Sequence, residues 1–328
     1  MDLLAEIQNK LPALAAYGAV DGVQAVVRHI TTAERWLQRA RSERDDDLFN
    51  DVIYRTNQAF EGMLKEAYAI LAESSGQHMT PHAIEKHMVQ NSVLTARVKE
   101  LFTNYRQQWR NPSTHDHRMV FNDQEAFLAI VSVSAFANIL IDQMLETASS
   151  RKEASEVEKR KTELARGLSN SAELPLVDRI VSALTLFAKE PQEENNEGQM
   201  REVELLGRLT GFMSIALPSV QFEREVAIDG QKGLRVDLVA REAGTNVVLE
   251  LKRSSRASSI ELGLDQVKRY LEATSLAHGI LFLSPAKYPA TLARMEHHYL
   301  GDQRQEVHVV ASDDVIDKYV RSHTADKT

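Results

Sequence analysis

Three residues in the last third of the chain could do chemistry together: Asp237, Glu250 and Lys252. Asp237 sits in Leu234-Arg235-Val236-Asp237-Leu238-Val239, and the other two sit in Val247-Val248-Leu249-Glu250-Leu251-Lys252. Both runs are rich in β-branched residues and read as strands. Gly244-Thr245-Asn246 between them supplies a turn, so a hairpin brings Asp237 beside Glu250. Glu250 and Lys252 are two apart and share one face of a strand. Two carboxylates held this way can bind Mg²⁺ or Mn²⁺ while leaving positions open for water and substrate. Such an ion lowers the pKa of bound water and offsets the charge that builds on a phosphodiester. A neighbouring lysine can position the water. The bland alternative is an ordinary ion pair on a hairpin. Polar groups in otherwise apolar strands nonetheless call for a compensating partner.

A second group lies at Arg110, Asn111 and His115, within Trp109-Arg110-Asn111-Pro112-Ser113-Thr114-His115. Histidine moves protons near neutral pH, and arginine holds a phosphate and stabilises charge on it. RNA carries its own nucleophile in the 2′-hydroxyl, so this pair is enough for cleavage without a metal. The alternative is that Arg110 and His115 cap a helix end or contact carboxylates such as Asp116.

Asp237 followed by Glu250-Leu251-Lys252 resembles the PD-(D/E)xK, or restriction-endonuclease-like, nuclease superfamily. Gln266 and Tyr270, spaced Gln-x-x-x-Tyr in the next helical run, are similar to the accessory motif of its RecB-like branch. The resemblance implies an α/β fold with a mixed central sheet. It also implies metal ligation by Asp237 and Glu250, water activation by Lys252, and support of the site by Gln266. Glu204 matches the acid that often supplements the metal in this family, with Glu202 as its alternative. The chain departs from the pattern in having Val236 where proline commonly precedes the aspartate. Arg253, Arg256, Lys268, Arg269 and Tyr270 are candidate nucleic-acid contacts, with a solvated face as the alternative for Lys268 and Arg269. Arg110-x₄-His115, with Asn111 between, resembles the HEPN family over about residues 30 to 148. That resemblance implies an all-α bundle that forms homodimers or higher homo-oligomers and completes a ribonuclease site across the interface.

The elements around these residues divide near the middle of the chain. Up to about residue 190 the pattern is helical. Leu48, Val52, Phe60, Leu64, Tyr68 and Leu71 mark one amphipathic helix, which Gly76 ends. Thr80-Pro81 opens another. A helix from about Ser92 to Arg110 is expected to break at Asn111-Pro112. Asn122 with Glu125 forms a capping box before the apolar run Phe127 to Ile141. Residues 151–199 read as a charged helical connector and linker: Ser149 to Arg166 is a highly charged, exposed helix, Leu174 to Ala188 is a shorter amphipathic helix, and Pro191 to Gln199 is the most linker-like stretch. From 200 on, the expected order is helix (Met200 to Phe212), strands (Val220 to Ile228, Leu234 to Ala240, Asn246 to Lys252), helix (Glu261 to Ala273), strands (Gly279 to Leu283, Val307 to Val310), then helix (Asp313 to Arg321). His297 and His298 read as helical neighbours whose side chains diverge. The domains are thus 1–150, helical; 151–199, connector; and 200–328, nuclease-like.

Composition sets the frame. The 328 residues allow two domains, each with its own core. With no cysteine, disulfide scaffolds, thiolate zinc sites and cysteine nucleophiles are excluded. The net charge of −8 excludes an all-basic surface, yet 17 basic and 18 acidic residues from Met200 onward leave the second half near neutral. The longest uncharged apolar stretch, Phe127 to Ile141, is shorter than the roughly 20 residues of a membrane span. The acidic start, with Asp2 and Glu6, is not that of a secretory signal. The expectation is a cytoplasmic metal-dependent nuclease that does not engage membranes, cuts DNA in preference to RNA and defends against foreign nucleic acid. Two alternatives stand beside it: a HEPN-type ribonuclease toxin with a nucleic-acid-binding second domain, and a non-catalytic binding and assembly protein.

Overall fold

The computed structural model describes residues 2–18, 20–74, 78–115, 118–190, 200–228, 231, 233–253, 256, 258–300 and 304–325. Gly76 and the stretch Pro191 to Gln199 lie outside the described residues, as do the side chain of His115 and residue Asp116. The chain divides into two compact units, Met1–Ala148 and Ser149–Thr328.

The first unit is helical. Its elements are α1 (Leu3–Ala15), α2 (Val20–Glu43), α3 (Leu48–Leu71), α4 (Pro81–Gln90), α5 (Ala96–Tyr105), α6 (Asn111–His115) and the first part of α7 (Asp123–Glu158). Phe60, Phe102, Tyr105 and Phe136 form an aromatic cluster at its centre, with ring centroids 4.5 to 6.3 Å apart. Thr80 caps α4 by accepting the N–H of Ala83, with Pro81 at the first helical position. Asn122 and Glu125 exchange backbone and side-chain hydrogen bonds at the start of α7.

The expected break at Asn111-Pro112 does not occur. Residues Arg106–Arg110 form a π-turn between α5 and α6, with the Asn111 N–H bonded to the Arg106 carbonyl. Widening the helix one turn ahead relieves the clash that the proline ring makes in a regular helix, so the chain stays helical to His115. The helix also begins later than Ser92, because the Thr95 side chain caps it by accepting from Val98. Among the described residues, α7 is the one helix long and apolar enough to cross a membrane, and 67% of its most apolar window is buried.

The second unit comprises the end of α7, α8 (Lys161–Leu168), α9 (Leu176–Lys189), α10 (Glu202–Ala216), β1 (Gln221–Ala227), β2 (Arg235–Glu242), β3 (Thr245–Lys252), α11 (Ser258–Thr274), β4 (His278–Leu283), β5 (Leu292–Leu300), β6 (Arg304–Ser312) and α12 (Asp313–Ala325). The sheet is mixed, in the order β1-β2-β3-β4-β6-β5. Strands β3, β4 and β6 run parallel, and the other neighbouring pairs are antiparallel. Helices cover both faces. Ile180, Leu184, Phe187, Leu209 and Phe212 pack on Leu249 and its neighbours on one side, and Val267, Tyr270 and Val315 pack on Val248 and Leu281 on the other.

This arrangement corrects the expected connector. The described part of 151–199 supplies one layer of the second unit, because α9 is amphipathic and buries its apolar stripe against the sheet. Gly211 allows α10 to lie close on the end of α7, since a Cβ there would come within 2.2 Å of the Ser150 carbonyl oxygen. Strand β5 is also unanticipated, so His297 and His298 lie on an edge strand rather than on a helix. The hairpin turn is Ala243-Gly244, both at positive φ, one residue earlier than read from the sequence.

Candidate active site

In the β2–β3 hairpin Leu238 lies opposite Leu249, so the next pair along is Asp237 and Glu250. The ladder ends at Leu238. Beyond it, Oδ2 of Asp237 accepts the Leu251 N–H at 2.9 Å and satisfies a donor that the strand no longer serves. Glu250 is 1% exposed, and Asp237 is half-buried. Nζ of Lys252 donates to Oε1 of Glu250 at 2.5 Å. Oε2 of Glu250 is buried with no hydrogen-bond partner.

The electrostatics follow from this crowding. Burial, and then the charge of Glu250, push Asp237 well above the usual carboxylate range, against the pull of the Leu251 N–H and Lys252. Burial raises Glu250 too, and Lys252 is the main opposing influence. Two buried carboxylates facing each other cannot both stay ionised without a compensating charge. Tyr270 lies beneath the pair. Burial and the two carboxylates raise its hydroxyl, which accepts a hydrogen bond from the Gln266 amide.

The structure therefore brings together Asp237, Glu250, Lys252, Tyr270 and, through Tyr270, Gln266. The Glu204 carboxylate turns back onto the Arg201 N–H as a helix cap and is buried there. The acid on α10 whose charge acts on Asp237 is Glu202. Arg253 acts electrostatically on Glu204. Arg256 and Arg269 are exposed. Lys268, two residues from both Gln266 and Tyr270, falls on the far side of α11, 3.9 Å from Glu272.

In the first unit, Arg110 is 3.4 Å from Glu61 of α3 and donates to Asn111 Oδ1 at 3.3 Å. Asn57 links this corner to the core by donating to Ser113 and accepting from Tyr105. Arg110 and Asn111 thus stand together at the π-turn, at the other end of a five-residue helix from His115.

Comparison with protein families, with curated proteins and with solved structures returns no match.

The residues present fit a divalent cation. The two carboxylates are adjacent and raised, one oxygen is buried and unpartnered, and the oxygen-only donor set suits Mg²⁺ or Mn²⁺. Sequence reasoning did not find the group formed by His278, Glu306 and His308. Its signal is the alternate spacing of Glu306 and His308, which becomes visible only once β6 is paired with β4.

Proposed function

We propose that the second unit is a metal-dependent nuclease that hydrolyses phosphodiester bonds, in DNA in preference to RNA. The observation that carries this is the pairing of buried Glu250 with half-buried Asp237, two crowded carboxylates that repel each other, with Lys252 alongside. Asp237 and Glu250 would hold Mg²⁺ or Mn²⁺. When bound, the cation acidifies the attacking water and offsets charge on the phosphate. Lys252 Nζ would hold that water and neutralise a phosphate oxygen, and its hydrogen bond to Glu250 Oε1 supports that role. Leu251 N–H keeps Asp237 in register, and Tyr270 supports the floor of the pair. Arg253, Arg256 and Arg269 are the candidates for backbone contacts. The corresponding fold assignment is a HEPN-like bundle followed in the chain by a restriction-endonuclease-like unit. The setting is cytoplasmic defence against foreign nucleic acid, with the bundle serving homodimerisation or acting on RNA.

The π-turn favours a second reading. Such turns often mark functional positions, and this one presents Arg110 and Asn111. In that reading Arg110 and His115 cleave RNA without metal.

One panel separates the readings: duplex DNA and RNA, each with Mg²⁺, Mn²⁺ or EDTA, for wild type, Asp237→Ala, Lys252→Ala, Arg110→Ala and His115→Ala. The proposal expects metal-dependent cleavage lost in the first two variants and kept in the last two. RNA cleavage that persists in EDTA and disappears in Arg110→Ala and His115→Ala would move the activity to the helical unit. Nucleic-acid binding without turnover under every condition would make the chain a binding protein.

A further inference from the structure

A second polar group sits on the opposite face of the same sheet. His278 opens β4, and Glu306 and His308 lie on β6, with His278 and Glu306 side by side in the parallel register. Ile280 and Val310, two residues along from His278 and His308, belong to the core under α9 and α10. Glu250 and Lys252 alternate with Leu249 and Leu251 of that same core and so face the other way. The two groups are separate.

His278 Nδ1 is 3.6 Å from Oε2 of Glu306, and His308 Nε2 is 3.4 Å from the same oxygen. The three atoms lie within 4.8 Å of one another. Both nitrogens are buried without a hydrogen-bond partner, and His308 as a residue is 2% exposed. These separations are long for hydrogen bonds. The two nitrogen–oxygen separations are close to the donor-to-donor edge of about 3.3 Å in a tetrahedral site with bonds of about 2.05 Å. On the outer side stands the more exposed His298 of β5, with Nδ1 3.5 Å from Oε1 of Glu306.

We propose that His278 Nδ1, His308 Nε2 and Glu306 Oε2 form a cation site for Zn²⁺ or a similar transition ion, fastening β4 to β6 with its fourth position toward His298. Two imidazoles and one carboxylate suit such an ion and do not suit Mg²⁺, which prefers an all-oxygen shell. This proposal does not depend on the nuclease reading.

Arg294 of β5 regulates access to the site. Its Nε and Nη2 lie 3.1 and 2.8 Å from Nδ1 of His308. A neutral imidazole that accepts there carries its proton on Nε2, the atom that must face the ion. Binding therefore moves that proton to Nδ1 and displaces the guanidinium. No proton is lost overall. Glu296 Oε1, 3.8 Å from Nδ1, is the acceptor that then holds the ring, and Asp178 and Glu296 already pair with Arg294. Metal and the Arg294–His308 contact exclude each other.

The test uses the full-length protein, stripped with chelator and titrated with Zn²⁺ against a chromophoric competitor. Co²⁺ absorption serves as a readout independent of activity. Asp237→Asn is the reference background, so that the carboxylate pair does not contribute. One Zn²⁺ per chain is expected, with tetrahedral Co²⁺ bands. Affinity should fall more than about 100-fold in His278→Ala and in Glu306→Gln, both at partly exposed positions, and should rise in Arg294→Met. Unfolding curves matched to the reference confirm that each variant is folded. Zn²⁺ binding weaker than about 10 µM in the reference, or binding indifferent to His278→Ala and Glu306→Gln, overturns the site. Unchanged affinity in Arg294→Met overturns the exclusion.

Discussion

Asp237 accepts its backbone hydrogen bond from Leu251, the residue after Glu250. The spacing of the two carboxylates is thus set by the pairing of β2 with β3, and their mutual repulsion is built into the sheet. Because both are raised in the folded protein, the native state binds more protons than the unfolded chain above the ordinary carboxylate range. The pair's contribution is most favourable in acid and is lost as pH rises through that range toward the raised values. Asp237→Asn removes the repulsion while its amide oxygen can still accept the Leu251 N–H. Thermal unfolding of the metal-free protein should show the variant more stable than wild type at pH 8, by roughly 1 kcal/mol or more, with the gap narrowing at pH 5. Mg²⁺ should narrow it at pH 8.

Lys252 touches the site through Glu250 Oε1 and carries its charge where water and phosphate would meet. Lys252→Met should lower the rate of cleavage about 10²- to 10³-fold. Mn²⁺ affinity at pH 8 should not fall, since the lost group is a cation. Metal titration together with single-turnover cleavage checks both halves.

Gln266 contacts the carboxylates only by way of the Tyr270 hydroxyl. Tyr270→Phe should cost about 10- to 100-fold in activity. Gln266→Ala should add little once Tyr270 is already Phe, so a double-mutant cycle will be strongly non-additive. Additive losses would mean that Gln266 acts on substrate directly.

Helix α9 forms one layer of the second unit, with Phe187 edge-on to Phe212 at 5.4 Å. A fragment beginning at Ser149 should unfold cooperatively, whereas one beginning at Met200 should not. Within the full chain, Phe187→Ala should cost about 3–5 kcal/mol. Denaturant unfolding monitored by circular dichroism measures all three.

The β2–β3 hairpin and the Gln-x-x-x-Tyr helix were legible because alternation and spacing act locally, and the caps at Thr80 and Asn122 for the same reason. What escaped depends on tertiary context. The sequence of β5, Leu-Ala-Arg-Met-Glu-His-His-Tyr-Leu, is rich in helix formers and becomes a strand only because β6 offers it an edge. Pro112 reads as a helix breaker unless the preceding turn widens. Glu204 and Glu202 look equivalent until the helix start takes the first for its cap. The amphipathic helix of α9 was legible, but the charged run before it made the segment read as a connector, because nothing local shows that the apolar stripe packs on the sheet.

On the proposed reading, Asp237 and Glu250 together support metal-dependent phosphodiester hydrolysis. The most direct test is the single-turnover rate of duplex DNA cleavage in Mg²⁺ for wild type, Asp237→Asn and Glu250→Gln. The account predicts cleavage by wild type that EDTA abolishes, and a loss of more than about 100-fold in each variant, both of which remain folded. Cleavage by Asp237→Asn at the wild-type rate would contradict it.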